Sequence, residues 1–185
     1  MIIKQIIFFY LALMMFSCDS KNYTRTYHLP KAKADNFTSS SVDTEAKPSG
    51  ITWDKPESWI PTKGSSMRLA SFTVPYSGGS GDISVIKLGG AGGGLESNVN
   101  RWRRQLSLEP KSLIEIEKDI INKTGVMGLY SIVKIINKEI DSAFLCAIIP
   151  IENHTIFVKL SLRSIGIEEI EDDFITFCSS LNIPN

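Results

Sequence analysis

The sequence predicts a layered α+β domain, and three stretches predict it. Residues 142–149 (SAFLCAII) are an unbroken apolar run, which as a strand needs cover on both faces and therefore a central place between layers. Residues 89–106 (GGAGGGLESNVNRWRRQL) carry a glycine-rich turn straight into an amphipathic helix. Residues 166–181 hold the cleanest helical period, with Ile167, Ile170, Phe174, Phe177, Cys178 and Leu181 on one stripe.

The folded part opens with Ile51-Thr52-Trp53 and Pro56-Glu57-Ser58-Trp59-Ile60-Pro61, a short strand and a proline turn between two aromatic residues. Large aromatics mostly serve the core, so Trp53 and Trp59 are read as packing groups rather than ligand platforms. Residues 66–74 (SMRLASFTV) alternate as a strand ending at Pro75, residues 75–81 form a flexible connection, and residues 82–88 (DISVIKL) return as the second arm of a hairpin.

The glycine loop follows. Glycines between a strand and a helix can cradle an anion with backbone N–H groups. Here no lysine and Ser/Thr close the loop, and Ala91 stands where a dinucleotide fingerprint has its second glycine. The adopted reading is a sharp positive-φ reversal that lets the helix approach the sheet closely, with anion binding as the alternative. On the helix, Leu95, Val99, Trp102 and Leu106 form the apolar stripe. Asn98, Arg101 and Gln105 share the neighbouring face; with Arg104 they are the candidate ligand- or partner-binding residues.

Pro110 ends that helix, and residues 112–115 (SLIE) carry a capping-box pattern for a short second one. Residues 122–125 read as a turn, 126–136 as a long strand containing Lys134, 137–141 as a turn, and Pro150 as the end or edge of the apolar strand. After a turn at residues 152–154, residues 155–163 (TIFVKLSLR) alternate, with Phe157, Lys159, Ser161 and Arg163 on a wetter face. Glu168, Glu169, Glu171, Asp172 and Asp173 crowd the first half of the last helix, where they suit its dipole. They are read as solvated surface rather than a calcium site or a landing for a basic partner.

With 185 residues, 43% of them hydrophobic, and a formal net charge of zero, the chain has material for one domain and extras. A neutral balance argues against nucleic acid as a partner. Residues 1–17 (MIIKQIIFFYLALMMFS) place one lysine before about a dozen apolar residues and a small one, the pattern of an export signal and shorter than the ~20 residues of a membrane-spanning helix. Ser17-Cys18 resembles the bacterial lipoprotein signal, in which the cysteine is acylated and becomes the first mature residue; Met15 and Phe16 depart from that motif's commonest form. An ordinary cleaved signal and an uncleaved anchor are the alternatives. The resemblance implies a protein anchored to a membrane of the cell envelope through lipidated Cys18, on the periplasmic side in a Gram-negative cell. Residues 18–49 are polar and without period, a tether of about 30 Å r.m.s. span in which His28, Tyr23, Tyr27 and Phe37 have no supported role. The domain proper is then residues 50–185.

Cys146 and Cys178 are read as two buried thiols, with a disulfide as the alternative. No spacing of His, Cys or acids indicates a metal site, and no cofactor is expected. The order of elements over residues 50–183, with PESW, MRLASF and NVNRWRRQL, resembles the PsbP-like fold of photosystem II extrinsic proteins, a Ran-binding protein and many small bacterial lipoproteins. That resemblance implies an antiparallel sheet between helices in an α/β/α sandwich, and an accessory or binding role with no catalytic residues to carry over. The expected function is accordingly a membrane-tethered, non-catalytic binding or assembly module with a protein or small-anion partner. A small-anion or carboxylate binder using the glycine loop and Arg101 is the second reading, and a hydrolase using His154, the only histidine in residues 50–185, the last.

Overall fold

Ten elements follow one another in the structure, a computed structural model that describes residues 51–183. They are β1 (Ile60–Pro61), β2 (Arg68–Tyr76), β3 (Gly79–Gly89), α1 (Leu95–Gln105), α2 (Leu113–Asp119), β4 (Ile121–Gly125), β5 (Gly128–Asn137), β6 (Ser142–Ile151), β7 (His154–Leu162) and α3 (Ile167–Ser180), the last entered through a 3-10 turn at Ser164–Gly166. All described residues belong to one unit, Asp43–Asn185. The expected signal at 1–17, Cys18 and the tether lie outside the described residues.

The seven strands form one wholly antiparallel sheet in the order β1-β2-β3-β7-β6-β5-β4. Two hairpin blocks account for it: β2-β3, and the meander β4-β5-β6-β7. They join where β3 lies against β7 over eight residue pairs, from Asp82–Ser161 to Gly89–His154. The sheet lies between helices, as the α+β class and the sandwich resemblance lead one to expect.

Several boundaries differ from the sequence reading, each for an identifiable reason. β2 continues through Pro75 to Tyr76, because β1 pairs only with Thr73 and Phe72 and leaves the end of β2 an edge, where proline is tolerated. The connection after it is therefore a tight turn at Ser77-Gly78, not a flexible span. Residues 122–125 are strand, not turn: polar β4 is the outermost strand beside β5, and the reversal falls at Val126-Met127. Pro150 lies within β6, exposed and opposite Thr155.

Side-chain alternation divides the core into two layers. On one face Ile83, Val85, Ile132, Leu145, Val158 and Leu160 pack against Ile167, Ile170, Phe174, Phe177 and Cys178 of α3. The sheet end of that layer is filled by four rings: Phe177 lies 5.2 Å from Trp59, 5.6 Å from Phe72 and 6.2 Å from Trp53. Both tryptophans thus pack as expected, although the buried Nε1 of Trp59 has no hydrogen-bond partner among the described residues. On the other face Val99, Trp102 and Leu106 of α1 and Ile116 of α2 cover Val133, Ile135, Phe144, Cys146 and Phe157. Cys146 and Cys178 are free buried thiols in opposite layers.

Two of the acids on α3 hold the fold together. Glu171 pairs with Lys134 of β5, which explains a lysine inside that strand, and Glu169 accepts hydrogen bonds from the N–H and hydroxyl of Ser77. The capping box at the start of α2 is complete, Ser112 and Glu115 each accepting from the other's backbone N–H.

Candidate functional site

The face of the sheet beneath α1 is built in cross-strand rows. One row reads Ser71, Ser84, Lys159, Cys146, Val133, and the next Thr73, Asp82, Ser161, Phe144, Ile135. In β5 and β6 these rows are apolar and lie under α1 and α2. In β2 and β3 they are polar. The boundary runs along β7, where Phe157 meets Trp102 edge-on at 6.2 Å, while Lys159 and Ser161 fall on the polar side.

The loop leading to α1 reverses as the glycines require: Gly90, Gly92, Gly93 and Gly94 all have positive φ. At Gly92 a Cβ would come within 2.5 Å of the Phe157 ring, so glycine there also allows close approach to the sheet. The N–H groups of Gly90, Gly92 and Gly94 bond to the carbonyls of Asn153, Gly89 and Ala91, and the Gly90 carbonyl accepts from the Thr155 hydroxyl. These N–H groups are engaged within the fold rather than turned as a row toward a ligand.

The predicted donor face divides accordingly. Asn98 is buried; its amide donates to the carbonyls of Gly92 and Gly94 at 2.9 and 2.7 Å, and its Oδ1 accepts from Arg101 Nη2 at 2.7 Å. It braces the loop and holds Arg101. Arg101 and Gln105 are exposed on the flank of α1 that overlooks β7. Gln105 Oε1 accepts from Lys159 Nζ, and that ammonium stands 3.6 Å from the centre of the Phe144 ring. Arg104 lies further round the helix, lining a shallow depression with Glu96, Ser97 and Asn100. Asn100 itself clasps the backbone N–H and carbonyl of Lys111, both at 2.8 Å, fixing the link between α1 and α2.

Residues not singled out from the sequence complete the groove. Arg68, at the start of β2, donates to both Asp82 oxygens at 3.2 and 3.4 Å and to the Ser71 hydroxyl at 3.3 Å. Ser84, 7% exposed, pairs across the sheet with both Ser71 and Lys159. Burial pushes the Lys159 ammonium below the ordinary lysine range; the charges of Arg101 and Arg68 push the same way, while Cys146 and Asp82 oppose them. Arg101 of α1 and Arg68 of β2 thus stand near enough to Lys159 of β7 for their charges to bear on it, beside the cross-strand row of Ser71, Ser84 and Lys159, with Asp82 the carboxylate among them. The signal was present in the alternation of residues 82–88 and 155–163, but which polar residues meet depends on pairing β3 with β7, across about 70 positions of sequence.

Elsewhere, His154 is exposed at the start of β7, opposite Gly89. Among the described residues no group of three or more His, Cys, Asp or Glu is placed to hold a metal, and no helix is long and apolar enough to cross a membrane.

No protein-family model and no curated protein matches this chain. Among solved structures the chain is similar to cyanobacterial PsbP from Synechocystis sp. PCC 6803, at 11% identity over 78% of this chain and 98% of that one, with a TM-score of 0.46. A protein of Bacteroides thetaiotaomicron VPI-5482 aligns at 11% identity and a TM-score of 0.44 over 73% of this chain, which spans only 45% of that one. LpqN of Mycobacterium tuberculosis, involved in cell envelope biogenesis, aligns at 13% identity and a TM-score of 0.39, covering 76% and 88% of the two chains. These likenesses concern the course of the backbone.

Proposed function

We propose that this chain is an exported protein of the cell envelope, held to a membrane by a lipid on Cys18, whose domain is a non-catalytic binding module. The observation that carries the binding role is the polar half of the sheet face beside α1. A helix layer covers the apolar half, while over β2 and β3 the same face presents hydroxyls and converging cations. The anchoring part rests on residues 1–18, where an apolar run ends in serine and cysteine.

Two measurements test the reading. The N-terminal peptide of the chain recovered from membranes should begin at Cys18 and carry acyl mass, and Cys18→Ala should release the protein to the soluble fraction. An intact Met1 with unmodified Cys18 overturns the anchor. For the surface, Thr73→Cys should react with a maleimide far more slowly in envelopes than in purified protein, while Leu129→Cys on exposed β5 reacts equally in both. Cys146 and Cys178 are buried and give little background. Equal labelling of Thr73→Cys in both settings overturns the binding face.

A further inference from the structure

We propose that the groove between α1 and strands β2, β3 and β7 binds a phosphate-type oxyanion, held by Arg68, Arg101 and Lys159 above the Ser84 hydroxyl. This deepens, and rests on, the reading of that face as the binding surface. Four observations support the ligand class. First, cations outnumber carboxylates here by three to one, and the carboxylate, Asp82, is already engaged by Arg68. Second, the cations reach the groove from three elements, α1, β2 and β7, which suits the several oxygens of a tetrahedral anion; a planar carboxylate is satisfied by one guanidinium fork. Third, Ser84 makes no side-chain hydrogen bond among the described residues, although only 7% exposed, so its hydroxyl can donate to a ligand. Fourth, Lys159 is placed by neutral partners alone, the Gln105 amide oxygen and the Phe144 ring. These orient the ammonium without neutralising it, and charge-assisted bonds to an incoming anion are the strong kind.

The glycine loop, the more familiar anion cradle, is secondary here because the N–H groups of Gly90, Gly92 and Gly94 bond to carbonyls of the fold. Its part is indirect: through Asn98 it sets the height and direction of Arg101.

The test uses the full chain in detergent, titrated calorimetrically with inorganic phosphate and, at matched ionic strength, with acetate. A flotation arm compares vesicles of phosphatidylglycerol with vesicles of phosphatidylcholine. Saturable one-site phosphate binding is expected, tenfold or more tighter than acetate. Lys159→Gln and Arg101→Gln should each weaken it at least tenfold, while Lys138→Gln, in the exposed β5–β6 turn, leaves it unchanged. Arg101 is exposed, so its variant keeps the fold, and a circular dichroism melt verifies this for both. Flotation stronger with phosphatidylglycerol, and reduced in Lys159→Gln, identifies a lipid headgroup as the source; phosphate binding without that preference identifies a soluble one. Absence of saturable binding in both arms, acetate binding as tight as phosphate, or indifference to both substitutions overturns the proposal. If oxyanion binding fails while Thr73→Cys stays protected in envelopes, the face binds another partner and only this inference falls. If the protection fails too, the binding reading falls with it.

Discussion

Replacing Asn98 with alanine separates two roles that the same residue could play on the α1 flank. A contact residue, when truncated, weakens binding and leaves stability alone. The structure assigns Asn98 the other role. Its side chain is 2% exposed, donates to two loop carbonyls at 2.9 and 2.7 Å and accepts from Arg101 at 2.7 Å. A neutral hydrogen bond of this kind contributes about 1 kcal/mol net, and a buried carbonyl stripped of its donor costs roughly 1–3 kcal/mol. Water reaches the exposed Gly94 more readily than Gly92, so the low end applies to one carbonyl, and the expected loss is about 2–4 kcal/mol. Exposed Arg101, truncated to alanine, should cost only about 0–1 kcal/mol. Urea unfolding followed by tryptophan fluorescence measures both, because Trp102 lies one turn from Asn98 in the buried layer. Asn98→Asp sharpens the test: it restores an acceptor for Arg101 but turns oxygens toward the two glycine carbonyls. It should therefore rescue Arg101-dependent phosphate binding better than it rescues stability. If Asn98→Ala lies within 0.5 kcal/mol of the parent while binding is lost, the brace assignment is refuted.

Three further predictions follow from other parts of the molecule. Phe177→Ala removes the ring that contacts Trp53, Trp59 and Phe72, and should destabilise by about 3–5 kcal/mol with loss of the near-ultraviolet tryptophan signal; a change under 1 kcal/mol would mean the cluster is not packed as described. Burial holds the Cys146 and Cys178 thiols protonated beyond their ordinary value of 9.0, so above that pH the folded chain binds more protons than the unfolded one and stability falls as pH rises. The linkage relation gives about 1 kcal/mol for each thiol between pH 9 and 10. Lys159, lowered, contributes in the opposite direction below 10.5, and Tyr130, raised by burial, adds to the loss above 10. Both are present in parent and variant alike, so the double substitution Cys146→Ala and Cys178→Ala should flatten the fall over that interval by about 2 kcal/mol, and an unchanged slope would contradict the burial of the thiols. Ser84→Ala removes a hydroxyl that nothing in the fold uses; stability should hold or rise by up to about 1 kcal/mol, while phosphate binding weakens about tenfold. A loss of stability above 1 kcal/mol would make that hydroxyl structural instead.

Short-range patterns showed through in the sequence, and long-range pairing did not. The stripes Val99-Trp102-Leu106 and Ile167-Ile170-Phe174-Phe177-Cys178 are buried as their spacing requires, and the capping box at Ser112 closes as its motif demands. Each depends on residues within a few turns of one another. β4 was misread because INKTG lacks an apolar face: an edge strand needs little of its own, since β5 and the backbone near Ser179 hold it in place, the latter through the bond from Val126 N–H. Glu171 read as solvated surface and Lys134 only as a residue inside a strand, and their pairing became visible once the sheet set β5 against α3. At the site, helical spacing located Arg101 and Gln105 but put Asn98 among the free donors, because the path of the glycine carbonyls toward its amide is a property of the positive-φ glycines Gly90, Gly92, Gly93 and Gly94, not of periodicity.

The two faces of the sheet explain why there is a groove at all. Seven strands at about 4.8 Å spacing make a sheet about 29 Å wide, whereas a helix is about 10 Å across and α1, with 11 residues, about 16 Å long. Neither face can be covered by one helix. On the α3 side the shortfall is made up by Trp53 and Trp59, and β2 accordingly turns Phe72 and Val74 that way. On the α1 side the Asn100 clasp on Lys111 draws the chain over β5 and β6 to place α2 there, and among the described residues no aromatic plug serves the β2–β3 half. Strands that no helix covers stay soluble only if their outward residues are polar, which Thr73 and Asp82 supply, while Ser71 and Ser84 are buried, Ser71 against the segment at Gly64. Solubility alone would be met by any mixture of charges. Here burial depresses the Lys159 ammonium first and the charges of Arg101 and Arg68 add to that, so the proposed anion would offset both the lost hydration and the mutual repulsion of the cations.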